Sequence, residues 1–209
     1  MSSKSKLIIN CGATHISASE FGVSAGRLVL ESFQVQELKY DYSNQEEWLS
    51  ELAATLKMMR VSGKATVIAP SMLLLTKTIK IPHVDEARRA EVIQFEAEKN
   101  IPYPINEVSW DYEIISDDGV ETEIFLTSMK STAADDFCMA LSQAGVIPES
   151  IEASSILDYN AWKYCGLEND VILLNVGSRF TNLMIAREDG VFVRSIPVGG
   201  NSHENADRK

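Results

Sequence analysis

An apolar run ending in Asn-x-Gly occurs twice in this chain, and that repetition limits what it can fold into more than any other feature. The first copy is Leu7-Ile8-Ile9-Asn10-Cys11-Gly12-Ala13; the second is Leu173-Leu174-Asn175-Val176-Gly177-Ser178. Each leads into a second strand-like run, Ile16 to Phe21 and Thr181 to Ala186. Each then turns through glycine, at Gly22 to Gly26 and at Glu188-Asp189-Gly190, into a third run. Alternating runs joined by Gly-bearing turns predict a three-stranded meander, here built twice. Two such meanders can present two equivalent half-sites, whose small residues leave backbone N–H groups accessible to a phosphate chain. On the residues alone, each Asn-x-Gly reads first as an ordinary tight turn, and it is the repeat that brings the phosphate reading forward.

Between the meanders the pattern changes. The stretch from Asn44 to Met59 reads as a helix: Asn44 caps it, Glu46 and Glu47 suit its first turn, and Trp48, Leu49, Leu52, Leu56 and Met59 form one apolar stripe. Ala65 to Ala69 reads as a buried strand and Leu73 to Ile81 as a half-buried one ended by Pro82. Val84 to Lys99 reads as a charged helix. Ile101-Pro102-Tyr103-Pro104 forces extended backbone, because each proline restricts the residue before it. Two strands, Val108 to Ile115 and Glu121 to Lys130, flank the turn Ser116-Asp117-Asp118-Gly119. Helix Ser131 to Ala144 stops at Gly145. Strand Ile147 to Glu152 and helix Ser154 to Tyr164 then precede the second meander. Strands alternating with helices make this an α/β chain, with a mixed unit inserted over residues 71–144.

The chain has 209 residues, 45% of them hydrophobic, which is ample for one large or two modest domains. Its formal net charge of -11 repels nucleic acid and anionic lipid, so no nucleic-acid partner is expected and membrane association would go through another protein. Cys11, Cys138 and Cys165 lack metal-ligand spacing and fit a reducing compartment. Met1 to Lys6 has no apolar stretch of signal-peptide length behind it, and no run reaches the ~20 residues of a membrane helix. A cytoplasmic protein is expected.

The stretch Phe95-Glu96-Ala97-Glu98-Lys99 followed by Ile101-Pro102-Tyr103-Pro104-Ile105-Asn106-Glu107-Val108-Ser109-Trp110-Asp111-Tyr112 resembles the type IV pilus assembly protein PilM family. Ala144-Gly145-Val146-Ile147-Pro148 and Ser195-Ile196-Pro197-Val198-Gly199-Gly200 are similar to later segments of that family, in the same order, so the resemblance spans nearly the whole chain. It implies an actin-like ATPase (ribonuclease H-like) fold, related to that of the cell-division protein FtsA. Residues 1–70 and 145–169 would form subdomain 1A, 71–144 a 1C insert, and 170–209 the start of subdomain 2A. The two meander turns would be nucleotide phosphate-binding loops, with Asn10, Gly12, Ala13 and Thr14 in one and Asn175, Gly177, Ser178 and Thr181 in the other. The resemblance implies a partner too: the cytoplasmic tail of an inner-membrane protein of the PilN type, in a groove between 1A and 1C, by edge-strand addition.

Two departures bear on ATP and Mg²⁺. The family's loop residue is typically Asp, whereas Asn10 and Asn175 keep the shape and lose the charge. A charge lost at ~4 Å from a cation is worth roughly 1–4 kcal/mol, and each ~1.4 kcal/mol is tenfold in affinity. Family members also continue beyond Gly199-Gly200 into the half that supplies the adenosine pocket. Either these residues are part of a longer chain or nucleotide binding has been given up. The leading expectation is a scaffold with degenerate nucleotide binding and no catalytic residues. The rivals are an active ATPase cycling with ATP and Mg²⁺ and a polymerising cell-division or competence factor.

Other candidates have ordinary readings. Arg179 reads as a solvated loop arginine ahead of a counter-charge for an anion, His15 as a polar strand-end residue ahead of an acid-base catalyst, and His83 as a turn residue beside Pro82. Glu86, Glu91, Glu96 and Glu98 form a solvated helix face with Arg88 and Lys99. Trp48, Trp110 and Trp162 read as core or interface anchors.

Overall fold

The computed structural model describes residues 5–40, 44–166, 170–187 and 190–201. The start of the chain to Lys4, the expected Glu188-Asp189 turn and the tail from Ser202 to Lys209 lie outside the described residues. The fold is α/β, and the chain forms two compact units: Met1–Pro70 with Ala133–Glu152, and Ser71–Thr132 with Ala153–Lys209.

In the first unit, strands β1 (Lys6–Cys11), β2 (His15–Ser24) and β3 (Arg27–Glu37) form the expected antiparallel meander. Helix α1 (Gln45–Met59) returns the chain to β4 (Gly63–Ala69), which lies parallel to β1. The sheet order is β3-β2-β1-β4 and then a later strand, β8 (Val146–Ala153), at the far edge. An edge tolerates Pro148, which has no N–H to donate. Asn44 caps α1 by accepting from the N–H groups of Glu46 and Glu47. The buried stripe of α1, Trp48, Leu52 and Leu56, meets α3 (Ser131–Gln143), where Phe137 stacks on Trp48 with ring centroids 5.9 Å apart.

The first hairpin differs from expectation in one place. Gly22 lies within β2, and the chain reverses at Ala25 and Gly26, whose φ values are 51° and 75°. Two consecutive left-handed residues make the tight hairpin turn that suits twisted strands. Gly22 serves a packing need, because the Glu31 carboxylate fills the space a Cβ there would take.

The second unit holds two three-stranded sheets. One has the order β5-β7-β6, from β5 (Leu75–Pro82), β6 (Val108–Asp117) and β7 (Glu121–Lys130). Pro82 is the last residue of β5, opposite Glu121. The other has the order β11-β10-β9, from β9 (Val171–Val176), β10 (Thr181–Arg187) and β11 (Gly190–Ile196). Strand β7 is buried on both faces. Ile124 packs with Ile79, Ile81 and Ile93, and Leu126 with Ala97, Ile101 and Val108, so this face receives α2 (Glu86–Asn100). Phe125 points the other way, into a core of Ile156, Tyr159 and Trp162 from α4 (Ser154–Cys165) with Met184, Ala186, Val191 and Val193.

These units divide the chain differently from the boundaries expected from sequence. From Ala133 onward α3 belongs with the first meander, because its apolar face meets Trp48. Helix α4 belongs with the second meander, because Ile156, Tyr159 and Trp162 pack on β10 and β11.

Candidate functional site

The two Asn-x-Gly turns are closed by the same backbone hydrogen bond. Gly12 donates its N–H to the His15 carbonyl at 2.9 Å, and Gly177 donates to the Phe180 carbonyl at 2.9 Å. A Cβ at Gly12 would lie 2.7 Å from His15 O, and one at Gly177 would lie 2.9 Å from Phe180 O. Close approach therefore requires glycine at both positions. The same bond closes β1 onto β2 and β9 onto β10. It also commits the two glycine N–H groups within their own turns.

Each turn is braced from behind. In the first, Tyr40 donates its hydroxyl to the Ala13 carbonyl at 2.6 Å, Trp48 Nε1 donates to Gly12 O at 3.3 Å, and Leu38 N donates to Thr14 O at 2.8 Å. Thr14 is buried, with its Oγ1 2.9 Å from His15 Nδ1. Asn10 is exposed on β1, opposite Ser17 and Ile68. In the second turn, Gly200 N donates to Gly177 O and Asn201 N to Ser178 O, each at 2.9 Å, while Thr181 Oγ1 donates to Val198 O at 2.7 Å. Gly199 is pressed so closely on the turn that a Cβ would lie 2.4 Å from Arg179 N. The Gly199-Gly200 pair is thus explained by contact with the turn.

Asn175 has a partner that the sequence did not suggest. Its Nδ2 donates to both carboxylate oxygens of Asp158 on α4, at 3.1 and 3.2 Å. Burial holds the Asp158 carboxyl above its ordinary range, and the Asn175 amide partly offsets this. The side chain that would stand in for a metal-ordering Asp is a donor tied to a carboxylate. A cleft of about 170 Å³ beside it is lined by Asp158, Trp162, Cys165, Leu173 and Asn175. That volume is below the ~300 Å³ of the smaller ligand pockets.

Asn10, Gly12, Ala13 and Thr14 come together in the first unit, and Asn175, Gly177, Ser178 and Thr181 in the second. Sequence reading missed the braces Tyr40, Trp48, Asp158 and Val198 to Asn201. Only the Gly-Gly pair carried a signal, since adjacent glycines after a strand mark a close backbone approach.

A meander closed by the same glycine turn, built twice within an α/β chain, is the architecture of the actin-like ATPase fold. The chain belongs to the family of the type IV pilus assembly protein PilM, whose model matches residues 9–206. No curated protein matches it. Among solved structures it resembles a PilM-PilN type IV pilus biogenesis complex, with a TM-score of 0.79 and 20% identity over 96% of this chain and 64% of that one. The chain therefore spans 64% of the length of that relative. A Bacteroides thetaiotaomicron protein with an actin-like ATPase fold matches with a TM-score of 0.55 and 9% identity, covering 99% of this chain and 75% of that one. The cytoplasmic domain of EpsL, an inner-membrane component of the Vibrio cholerae type II secretion system, matches with a TM-score of 0.51 and 9% identity, covering 91% and 71%. No helix among the described residues is long and apolar enough to cross a membrane.

Proposed function

We propose that this chain works as a cytoplasmic scaffold in type IV pilus assembly and binds the cytoplasmic tail of an inner-membrane protein of the PilN type. Its first meander would be subdomain 1A, the β5-β7-β6 sheet with α2 the 1C insert, and the β9–β11 meander the start of 2A. Family membership and the PilM-PilN complex among the similar structures support a pilus role and such a partner. Nucleotide binding would be degenerate, because Asn175 and both turn glycines are already engaged within the protein.

The observation that carries the tail-binding reading is β6. It is an edge strand of ten residues whose backbone can accept another strand. Trp110 and Tyr112 stack along one of its faces with centroids 6.4 Å apart, and Asp111 and Glu113 stand exposed on the other. The cytoplasmic flanks of membrane helices are rich in Lys and Arg, which complement those carboxylates and the net charge of -11. In a fluorescence-polarisation titration with a labelled tail peptide, Asp111→Lys with Glu113→Lys should weaken binding at least tenfold and flatten its salt dependence. Unchanged affinity in the double variant refutes this surface. Saturable binding of Mg·ATP at micromolar concentration favours the ATPase reading instead.

A further inference from the structure

Among the described residues, β3, the edge strand of the first sheet, carries a long row of exposed apolar side chains. Leu28, Leu30, Phe33 and Val35 are 70%, 52%, 59% and 51% exposed. Natural sheets guard long edges with lysine, proline or inward-pointing charge. Between Arg27 and Glu37 there is no Lys or Pro, and the only interior charge, Glu31, folds back over Gly22 of its own hairpin.

The pairing with β2 shows what this edge fits. Glu20 pairs with Ser32 and Phe21 with Leu30, so Glu31 is the extra residue of a β-bulge. A bulge exchanges the faces on its two sides. Leu28 and Leu30 pair with Val23 and Phe21, and Phe33 and Val35 with Ser19 and Ser17, which places all four apolar residues on one face. In a regular strand of the same sequence, with no bulge at Glu31, the two pairs would lie on opposite faces. With the bulge, the row reads the same from either end about Ser32.

We propose that β3 is a self-pairing edge, joining two copies of this chain through an antiparallel, two-fold β3–β3 contact. Ser32 meets Ser32 of the second copy, with Glu31 looped out in both. Leu30 then faces the second copy's Phe33, and Leu28 its Val35, and the symmetry repeats both pairs. Val29 faces Gln34 on the opposite side of the sheet, and Arg27 ends beside Gln36 and Glu37. A two-fold contact needs a self-complementary patch, and this row is one. Apolar pairs directly across strands are the stabilising unit of such a junction. The tail-binding surface on β6 is a separate edge in a separate unit, so neither proposal depends on the other.

Light scattering after size exclusion, run on the full chain from about 1 to 100 μM, is the test. The expected result is a concentration-dependent dimer. Leu30→Glu alone and Phe33→Lys alone should each shift the dimer midpoint at least tenfold upward. Mixing the two variants should restore a dimer, because the proposed register sets Glu against Lys at one site and leaves an intact Leu–Phe pair at the other. Both residues are exposed, and circular dichroism verifies that each variant folds. Three results would overturn the proposal: a parent chain monomeric at 100 μM, single variants that dimerise as the parent does, or a mixture no better than its components. So would a β3 edge that pairs with an added tail peptide while the chain stays monomeric.

Discussion

Replacing Asn175 with Asp installs the residue that the family resemblance leads one to expect there, yet on the structure's geometry it should weaken this protein. Asn175 Nδ2 lies 3.1 and 3.2 Å from the two oxygens of Asp158. The substitution sets a second carboxylate against the first. Like charges at ~4 Å repel by about 1 kcal/mol in water and about 4 kcal/mol at an effective dielectric constant of 20. Asn175 is exposed, so the lower part of that range applies, ~1–2 kcal/mol. Losing a hydrogen bond to a charged acceptor adds about 1 kcal/mol, discounted for solvent. The total of ~2–3 kcal/mol lowers Tm by roughly 4–12 °C at neutral pH. The pH dependence has a definite sign. Burial already raises the Asp158 carboxyl, and a second carboxylate raises it further. A raised folded-state pKa carries no penalty below the unfolded value of about 3.9, and the penalty grows as pH climbs through the folded value. The Tm gap between parent and variant should therefore be small near pH 4 and widen toward pH 7. Adding Asp158→Asn, which exchanges donor and acceptor, should close it. Thermal melts from pH 4 to 8 read all of this. An Asn175→Asp protein as stable as its parent at pH 7 would refute the reasoning. Recovery of Tm in Mg²⁺ would show that the loop still accepts a metal ion.

Gly12→Ala and Gly177→Ala each drive a methyl against a carbonyl, at 2.7 and 2.9 Å, and should each cost about 1–3 kcal/mol in urea unfolding. If the two variants differ sharply, the turns are not equivalent. Asp117 is held below the ordinary carboxylate range, first by the Gly119 N–H and also by His83 at 2.7 Å. A lowered pKa contributes stability that is present above the unfolded value and lost as pH falls through the folded one. Asp117→Asn should therefore flatten the acid limb of a Tm-versus-pH curve below about pH 4.

Much of the fold was legible because local rules and global packing agree. Asn44 caps α1 as its position before Glu46 and Glu47 required, and the Trp48-Leu52-Leu56 stripe is the buried face. The repeated Asn-x-Gly was visible because a short turn with a close carbonyl admits only glycine. Three things were not legible. The hairpin at Ala25-Gly26 looked like a turn from Gly22, because a glycine kept open for a neighbour's carboxylate reads like one chosen for its backbone. The allegiance of α3 and α4 is decided by which apolar face meets which, and chain order does not encode that. The Asn175–Asp158 bond joins a strand to a helix across seventeen positions, and no periodicity records it.

Strand β7 has a consequence for how this chain can vary. Its residues alternate between two hydrophobic layers, Ile124 and Leu126 serving α2 and Phe125 serving α4, so no side of it looks onto water. A meander with a wet face can drift in sequence on every second residue. From Thr122 to Leu126 this strand has no such freedom, and a change that suits one helix alters the footing of the other.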